Sequence, residues 1–324
     1  MDTVPDVPPK IGYLGPPGTF SEEALLTQPD YAVAELIPMD SMHQILTSVD
    51  RGELELGFLP LENSIEGTVN LTLDGLIFDF DLLIQREVIL DVHLDLMAYP
   101  GTRVEEVKSV LSYPHATAQC RGFLRKVLPH AELIAANSTA DAARIVGEEK
   151  DKGMVALAPS LASKLYGLEI LASCVEDHSD NQTRFVSLAR SGIPEPTGHD
   201  RTSIVCFQKT DRPGSLHAIL GQFAARGINL TKIESRPTKR GLGNYCFAID
   251  LEGHIEDEIV ADCLRDLHVM LESIKFLGSY PAASGGGDQR RREVRSAWQA
   301  ADAWVGSLRR TVGTSTQHGS TTLP

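Results

Sequence analysis

Residues 54–69 read Leu54-Glu55-Leu56-Gly57-Phe58-Leu59-Pro60-Leu61-Glu62-Asn63-Ser64-Ile65-Glu66-Gly67-Thr68-Val69. Leu54–Leu61 is a short, nearly unbroken apolar run, the pattern of a strand covered on both faces. Polar residues follow at once. Side chains just past a buried parallel strand lie where open α/β sheets bind ligands. A simple capped turn explains Asn63, Ser64 and Glu66 equally well, so the stretch decides the fold class before it decides a function.

The same alternation extends in both directions. Ile11–Gly15, Val107–Leu111, Glu132–Ala136, Met154–Ala158 and Phe185–Leu188 read as further short strands, separated by amphipathic stretches at Ser41–Asp50, Ala116–Leu128 and Thr139–Glu149. This predicts an α/β domain over 10–190 with largely parallel strands. Leu82–Tyr99 is a longer extended segment, with Val88, Leu90, Val92, Leu94 and Leu96 alternating, and is a candidate crossing between two lobes. The Pro- and Gly-containing stretch 191–200 predicts a linker. Beyond it, 201–280 reads strand, helix, strand, strand, helix, strand. This is the βαββαβ order of a ferredoxin-like domain, with one sheet face or an edge left free for a second subunit.

Both termini differ in character. Residues 1–9, with three prolines, and Thr311–Pro324 read as disordered. Within 281–324, Ser284–Gly287 is a flexible run. Val294, Trp298, Ala301, Val305 and Leu308 recur at helical spacing beside Arg290–Arg292 and Arg309–Arg310, which predicts a basic amphipathic helix near 290–310. The acidic body, a partner and a membrane surface are all docking options, and its own oligomer is preferred because opposite charge lies nearby.

Charge and cysteine usage exclude several classes. A net charge of −14 over 324 residues opposes binding to nucleic acid or anionic lipid. No run approaches the ~18 apolar residues of a membrane span, and the N-terminus does not read as a signal peptide. The five cysteines, Cys120, Cys174, Cys206, Cys246 and Cys263, contain no CxxC pair. Reduced thiols in a cytoplasmic protein, with no metal site, is the expectation.

Four segments carry candidate chemistry. Gly15-Pro16-Pro17-Gly18-Thr19-Phe20-Ser21-Glu22 follows a strand, and Thr19 with Glu22 predicts a capping box whose free amides can hold a carboxylate. The glycine spacing is wrong for a nucleotide loop. Pro60–Val69 is the second segment. In Ser112–Cys120, Gln119 falls in the second turn of a helix; His115 is a candidate base or, more ordinarily, a surface group. In Asp180–Phe185, period-two alternation puts Asn181, Thr183 and Phe185 on one face and Arg184 on the other. A threonine hydroxyl without a base partner suits hydrogen-bond donation better than nucleophilic attack.

Taken in order, GPPGTFSE, LENSIEGTV, AQC, YGLEILA (Tyr166–Ala172) and NQTRF resemble the prephenate dehydratases across the first 190 residues. Glu234-Ser235-Arg236-Pro237 resembles the ESRP motif of that family's ACT domain. Gly214-Ser215-Leu216-His217 stands where the family has Gly-Ala-Leu-Val, departing at Ser215 and His217. Tyr113 stands where the family usually has a histidine, so no catalytic role is assigned there.

The resemblance implies a two-lobed catalytic domain of the periplasmic-binding-protein type, an ACT domain after it, and conversion of prephenate to phenylpyruvate without metal or organic cofactor. It implies catalytic roles for Thr183, Asn63 and Gln119 and substrate contacts from Thr19, Ser21, Ser64, Gly67, Arg184 and Phe185. L-Phenylalanine is expected between ACT domains of two subunits, at Gly214, Leu216, Glu234, Ser235 and Arg236, in a homodimer or homotetramer. Arogenate dehydratase, with the same chemistry on an amino side chain, is the nearest alternative. A non-catalytic amino-acid sensor is a second, disfavoured by retention of Asn63, Gln119 and Thr183 together. A transcriptional regulator is a third, disfavoured by the charge and by the lack of a helix-turn-helix pattern before the α/β region.

Overall fold

The computed structural model describes residues 8–210, 212–239, 244–283, 300–301 and 303–310. The first lobe is built from β1 (Lys10–Leu14), α1 (Phe20–Leu26), β2 (Glu35–Met39), α2 (Met42–Arg51), β3 (Leu56–Asn63), β4 (Gly67–Thr68), α3 (Asn70–Asp74) and β5 (Leu83–Asp91). The second holds β6 (Asp95–Ala98), β7 (Ser109–Ser112), α4 (Pro114–Gln119), α5 (Arg121–Val127), β8 (Glu132–Ala135), α6 (Thr139–Glu149), β9 (Met154–Ala158), α7 (Ser160–Tyr166) and β10 (Glu169–Ala172). β11 (Gln182–Ala189) then returns to the first lobe.

The first sheet runs β2-β1-β3-β11-β5, with β4 on β3; the second runs β10-β6-β9-β7-β8. The expectation of largely parallel strands is corrected by half. β1 pairs in parallel with β2 and β3, and β7 with β8 and β9, but β11 is antiparallel to both its neighbours and β6 to both of its own. A strand buried on both faces shows the same apolar run in either direction, so its sequence carries no sign of orientation. The long segment does cross between lobes. It is two strands, β5 in one sheet and β6 in the other, with Val92–Leu94 between them.

Local packing shows why these residues choose these elements. Ser41 caps α2 by accepting the Gln44 N–H at 3.2 Å, and Gly52 ends it in the left-handed region at φ 74°. Ile45, Leu46 and Val49 are buried against the sheet, each worth about 1.5–3 kcal/mol of apolar burial. Gly57 on β3 is required by that packing, since a Cβ there would lie 2.8 Å from Ile45 Cγ2 and 2.9 Å from Val49 Cγ2. The stretch expected as one helix, Ala116–Leu128, is two. The Asp177 carboxylate accepts the N–H groups of Gly122 and Phe123 and so starts a new helix there.

Residues 190–199 hold neither helix nor strand. The C-terminal unit follows as β12 (Asp200–Phe207), α8 (Ser215–Ala225), β13 (Leu230–Pro237), β14 (Tyr245–Glu252), α9 (Glu258–Met270) and β15 (Ser273–Pro281). Its antiparallel sheet runs β13-β14-β12-β15, the ferredoxin-like order. Ile204, Cys206, Ile219, Phe223 and Ile249 form the core under the helices. The opposite face is not free. Val205, Cys246, Ala248, Leu277 and Tyr280 join the core of Ile45, Leu59, Leu61 and Leu76 from the first lobe. Burial on both faces accounts for the apolar run Ile204–Phe207 in the second half of β12. Among the described residues, β13 is an edge strand, paired with β14 alone.

Residues 303–310 are helical, and Trp304 is 64% exposed. The rest of the expected tail helix, from 290 to 299, and the runs Ser284–Gly287 and Thr311–Pro324 lie outside the described residues, as do residues 1–7. Among the described residues, no helix is long and apolar enough to cross a membrane.

Candidate active site

The polar residues after β3 meet the start of β11, because Asn63 and Thr183 are register partners. Asn63 Nδ2 donates to Thr183 Oγ1 at 2.9 Å and to Asn181 Oδ1 at 2.8 Å. Asn63 Oδ1 accepts the N–H groups of Ile65 (2.9 Å) and Glu66 (3.0 Å). The two backbone donors fix which way the amide points, so its NH₂ must face Thr183. Thr183 therefore accepts a hydrogen bond. Among the described residues its own proton has no acceptor, and the side chain is 9% exposed.

The network continues into the second lobe. Asn181, 1% exposed, donates to Gln119 Oε1 at 3.1 Å, and Gln119 Nε2 donates to Glu66 Oε1 at 3.2 Å. Glu66 also lies 3.0 Å from His115 Nδ1, and His115 stacks on Tyr113. Gln119 is the last residue of α4, where Asp177 N–H donates to its carbonyl at 2.7 Å. The helix break is thus what brings this glutamine to the cleft.

The other expected site residues divide. Ser64 pins the turn, its Oγ accepting Gln182 N–H at 2.9 Å and donating to the Asp180 carbonyl at 3.2 Å. Gly67 sits opposite Asn63 with φ 80°, a conformation that favours glycine. Thr19 and Ser21 follow β1, which runs parallel to β3, so their loop lies at the same end of the sheet. The capping box does not form. Thr19 Oγ1 donates back to the Leu14 carbonyl at 3.0 Å, and Glu22 reaches Gly18 N–H instead. That loop touches the second lobe, with Tyr166 donating to the Pro17 carbonyl at 2.7 Å. Burial, with Glu22 adding to it, pushes the Tyr13 phenol far above its ordinary pKa, so it stays a neutral donor.

Arg184 and Phe185 do not face the cleft. Phe185 is in the first lobe's core, stacked on Phe58 with ring centroids 5.2 Å apart. Arg184 points to the C-terminal domain. Its Nη1 bonds Asp250 at 2.6 Å and its Nη2 bonds Tyr280 at 2.7 Å, while Nε lies 2.7 Å from Glu87 as an ion-pair contact off the N–H axis. Its expected substrate contact is corrected on this ground, because every arm of the guanidinium is committed elsewhere. Asn181, Glu66 and Asp177 are the residues that sequence reasoning left without a role, although Asn181 lay inside the NQTRF motif.

The expected effector residues also split, by strand alternation. Ser235 is exposed on one side of β13, whereas Lys232, Glu234 and Arg236 face the first lobe. Thr68 Oγ1 donates to Glu234, and Lys232 Nζ donates to Thr68 at 2.9 Å. Arg236 bonds Asp74 through Nε (3.0 Å) and Nη2 (2.7 Å), and Asn70 through Nη1 (2.8 Å). Gly214, at φ 86°, precedes α8, and Leu216 packs into the core beneath it.

Fold and cleft together define a two-lobed α/β enzyme with a ferredoxin-like domain docked on its first lobe. The chain belongs to the prephenate dehydratase family: that family's model matches residues 11–192, and the ACT domain model matches 202–269. A prephenate dehydratase of Mycolicibacterium vanbaalenii is 44% identical over 287 residues, spanning 84% of this chain and 91% of its own. A solved prephenate dehydratase from Arthrobacter aurescens, in complex with L-Phe, superposes with a TM-score of 0.81 at 39% identity, covering 93% of this chain and 99% of that one. A structure described as GqqA, a novel type of quorum quenching acylase, is 32% identical with a TM-score of 0.76, covering 85% of this chain and 98% of its own.

Proposed function

We propose that Thr183 is the hydrogen-bond donor to the oxygen that leaves as prephenate becomes phenylpyruvate. The prephenate dianion loses its ring carboxylate as CO₂. The electron pair of that C–C bond aromatises the ring and expels the 4-hydroxyl as hydroxide, leaving the phenylpyruvate anion. Aromatisation supplies most of the driving force, and charge develops on one oxygen. One observation carries the assignment: Asn63 donates to Thr183 Oγ1, which leaves the Thr183 proton to point at whatever the cleft holds. Asn63 and Gln119 orient the substrate, and Asn181 completes a set of uncharged amides around Thr183 suited to developing negative charge, with the Glu66 carboxylate on the far side of Gln119. Thr19, Ser21, Ser64 and Gly67 shape the walls and the turns around it.

L-Phenylalanine is the proposed effector, bound where Gly214, Leu216 and Ser235 meet a second subunit at the β13 edge, in a cytoplasmic homodimer or homotetramer. Glu234 and Arg236 transmit its effect. Both grip the segment 68–74, which begins one residue after Gly67, the register partner of Asn63.

The test is phenylpyruvate formation from prephenate by the purified full chain, with and without phenylalanine. Turnover suppressed by phenylalanine is expected. Folded protein that binds phenylalanine without turning prephenate over would overturn the catalytic reading.

A further inference from the structure

Each lobe crossover carries a side chain able to bind a metal, and the fold sets the two segments side by side. Val92-His93-Leu94 joins β5 to β6, and Cys174-Val175-Glu176 lies between β10 and β11. Val175 N–H donates to the Leu94 carbonyl at 2.8 Å, so the segments are tied backbone to backbone. His93 Nδ1 lies 2.8 Å from Glu176 Oε1. The ligand atoms of His93, Cys174 and Glu176 all fall within 4.8 Å of one another.

The cluster combines a fixed member with two adjustable ones. The Glu176 side chain is 3% exposed, and its second oxygen accepts the Leu94 N–H at 2.9 Å. The His93 side chain is 47% exposed, and Cys174 is the one exposed cysteine of the five. Cys174 adopts φ 51°, with its N–H held by Asp95 Oδ1 at 3.0 Å. The four other thiols are buried, which leaves Cys174 the one of the five open to an ion from solvent.

We propose that His93, Cys174 and Glu176 form a binding site for a borderline-soft divalent cation, of the zinc or cobalt kind, that clamps the two lobe crossovers together. One imidazole nitrogen, one thiolate and one carboxylate suit such an ion and do not suit magnesium or calcium, which take oxygen ligands. A tetrahedron with metal–ligand bonds of 2.0–2.3 Å has edges of roughly 3.3–3.8 Å. Cys174 therefore needs to close by about 1 Å at most, while His93, already 2.8 Å from Glu176 Oε1, needs to open by about 0.5 Å, around a carboxylate that stays in place. Water takes the fourth position. The ion's role is to restrain the hinge, and nothing in it depends on the chemistry in the cleft. Sequence motifs do not show this site, because 83 residues separate His93 from Glu176.

The experiment is a Co²⁺ titration of the reduced, untagged full chain, followed by the thiolate-to-metal charge-transfer absorption. One equivalent is expected to develop the band, and Zn²⁺ is expected to displace it. Cys174→Ser should abolish the band while turnover of prephenate is retained. His93→Ala should weaken binding at least as much as the roughly 10–100-fold that loss of an outer-shell partner costs. A band that survives Cys174→Ser, an affinity unchanged in His93→Ala, or no band in the parent chain overturns the proposal. If Cys174→Ser fails to fold, the His93→Ala titration decides alone.

Discussion

Thr183 and Arg184 are adjacent on β11, and their side chains serve two regions built on opposite principles. On the Thr183 side the nearest partners are neutral, Asn63, Asn181 and Gln119, joined by single hydrogen bonds of 2.8–3.1 Å, and the Glu66 carboxylate is reached only through Gln119. Each such bond is worth a net ~0.5–1.5 kcal/mol, so a substrate that offers equivalent groups can exchange for it at small cost. On the Arg184 side the partners are charged and buried. Glu87 is also held by Arg201 at 2.7 Å, and Asp250 accepts from Ser203 at 2.6 Å. Burial opposes ionisation of both members of the central pair. Even so, Tyr280, Asp250 and Glu87 hold Arg184 well above the usual guanidinium range, and Arg184 and Ser203 draw Asp250 below the usual carboxylate range. The contrast separates what must exchange during turnover from what must stay. A cleft needs cheap bonds, and a permanent seam between two domains tolerates costly ones.

The sharpest way to break this contrast is Arg184→Ala. It strands Glu87 and Asp250 in the domain seam without their shared cation, and loss of one partner from a buried pair costs roughly 3–5 kcal/mol. Chemical denaturation should show a loss of that size, with the C-terminal domain undocking first. A loss under about 1 kcal/mol would place the pair with ordinary surface bridges. Thr183→Ala is next. Removing a donor that acts on developing charge should lower kcat by about 10²–10³, or ~2.7–4 kcal/mol, with KM little changed and folding stability near that of the parent chain. Thr183→Ser, which keeps the hydroxyl, should restore most of the rate. A rise in KM with kcat intact would make Thr183 a binding residue and erase the distinction drawn for its side of the strand.

How much of this was legible in the sequence depended on distance along the chain. Strand alternation alone put Arg184 opposite Thr183, but what it faced became clear only once the C-terminal sheet was seen docked on the first lobe. Asn63, Gln119 and Thr183 were expected together because their segments resemble those of the prephenate dehydratases, with strand-end position an added sign for Asn63. Asn181 was passed over because its value is as a link between two others. The break after Gln119 was hidden for a related reason. Apolar spacing runs on through Ala116–Leu128, and the carboxylate that starts the second helix lies 55 residues beyond Gly122. Period and propensity report a segment's own preferences, and contacts brought from far along the chain leave no trace in them.

The smallest expected effect tests whether the two regions communicate. Thr68 stands between them. Its hydroxyl receives Lys232 and donates to Glu234 from the C-terminal domain, while its backbone pairs with Glu62 on β3 beside Asn63. Thr68→Val keeps the shape and removes both hydrogen bonds. Neither Thr68 nor its partners touch the cleft network, so basal kcat should stay near that of the parent chain. If effector binding acts through Glu234 on this segment, the phenylalanine concentration for half-inhibition should rise about fivefold, a coupling of ~1 kcal/mol. Arg236 still holds Asp74 in that variant, so the coupling should weaken without vanishing. Inhibition unchanged in Thr68→Val would mean that the effector reaches the cleft by another route, such as a rearrangement of subunits, and the seam on β11 would then be static support alone.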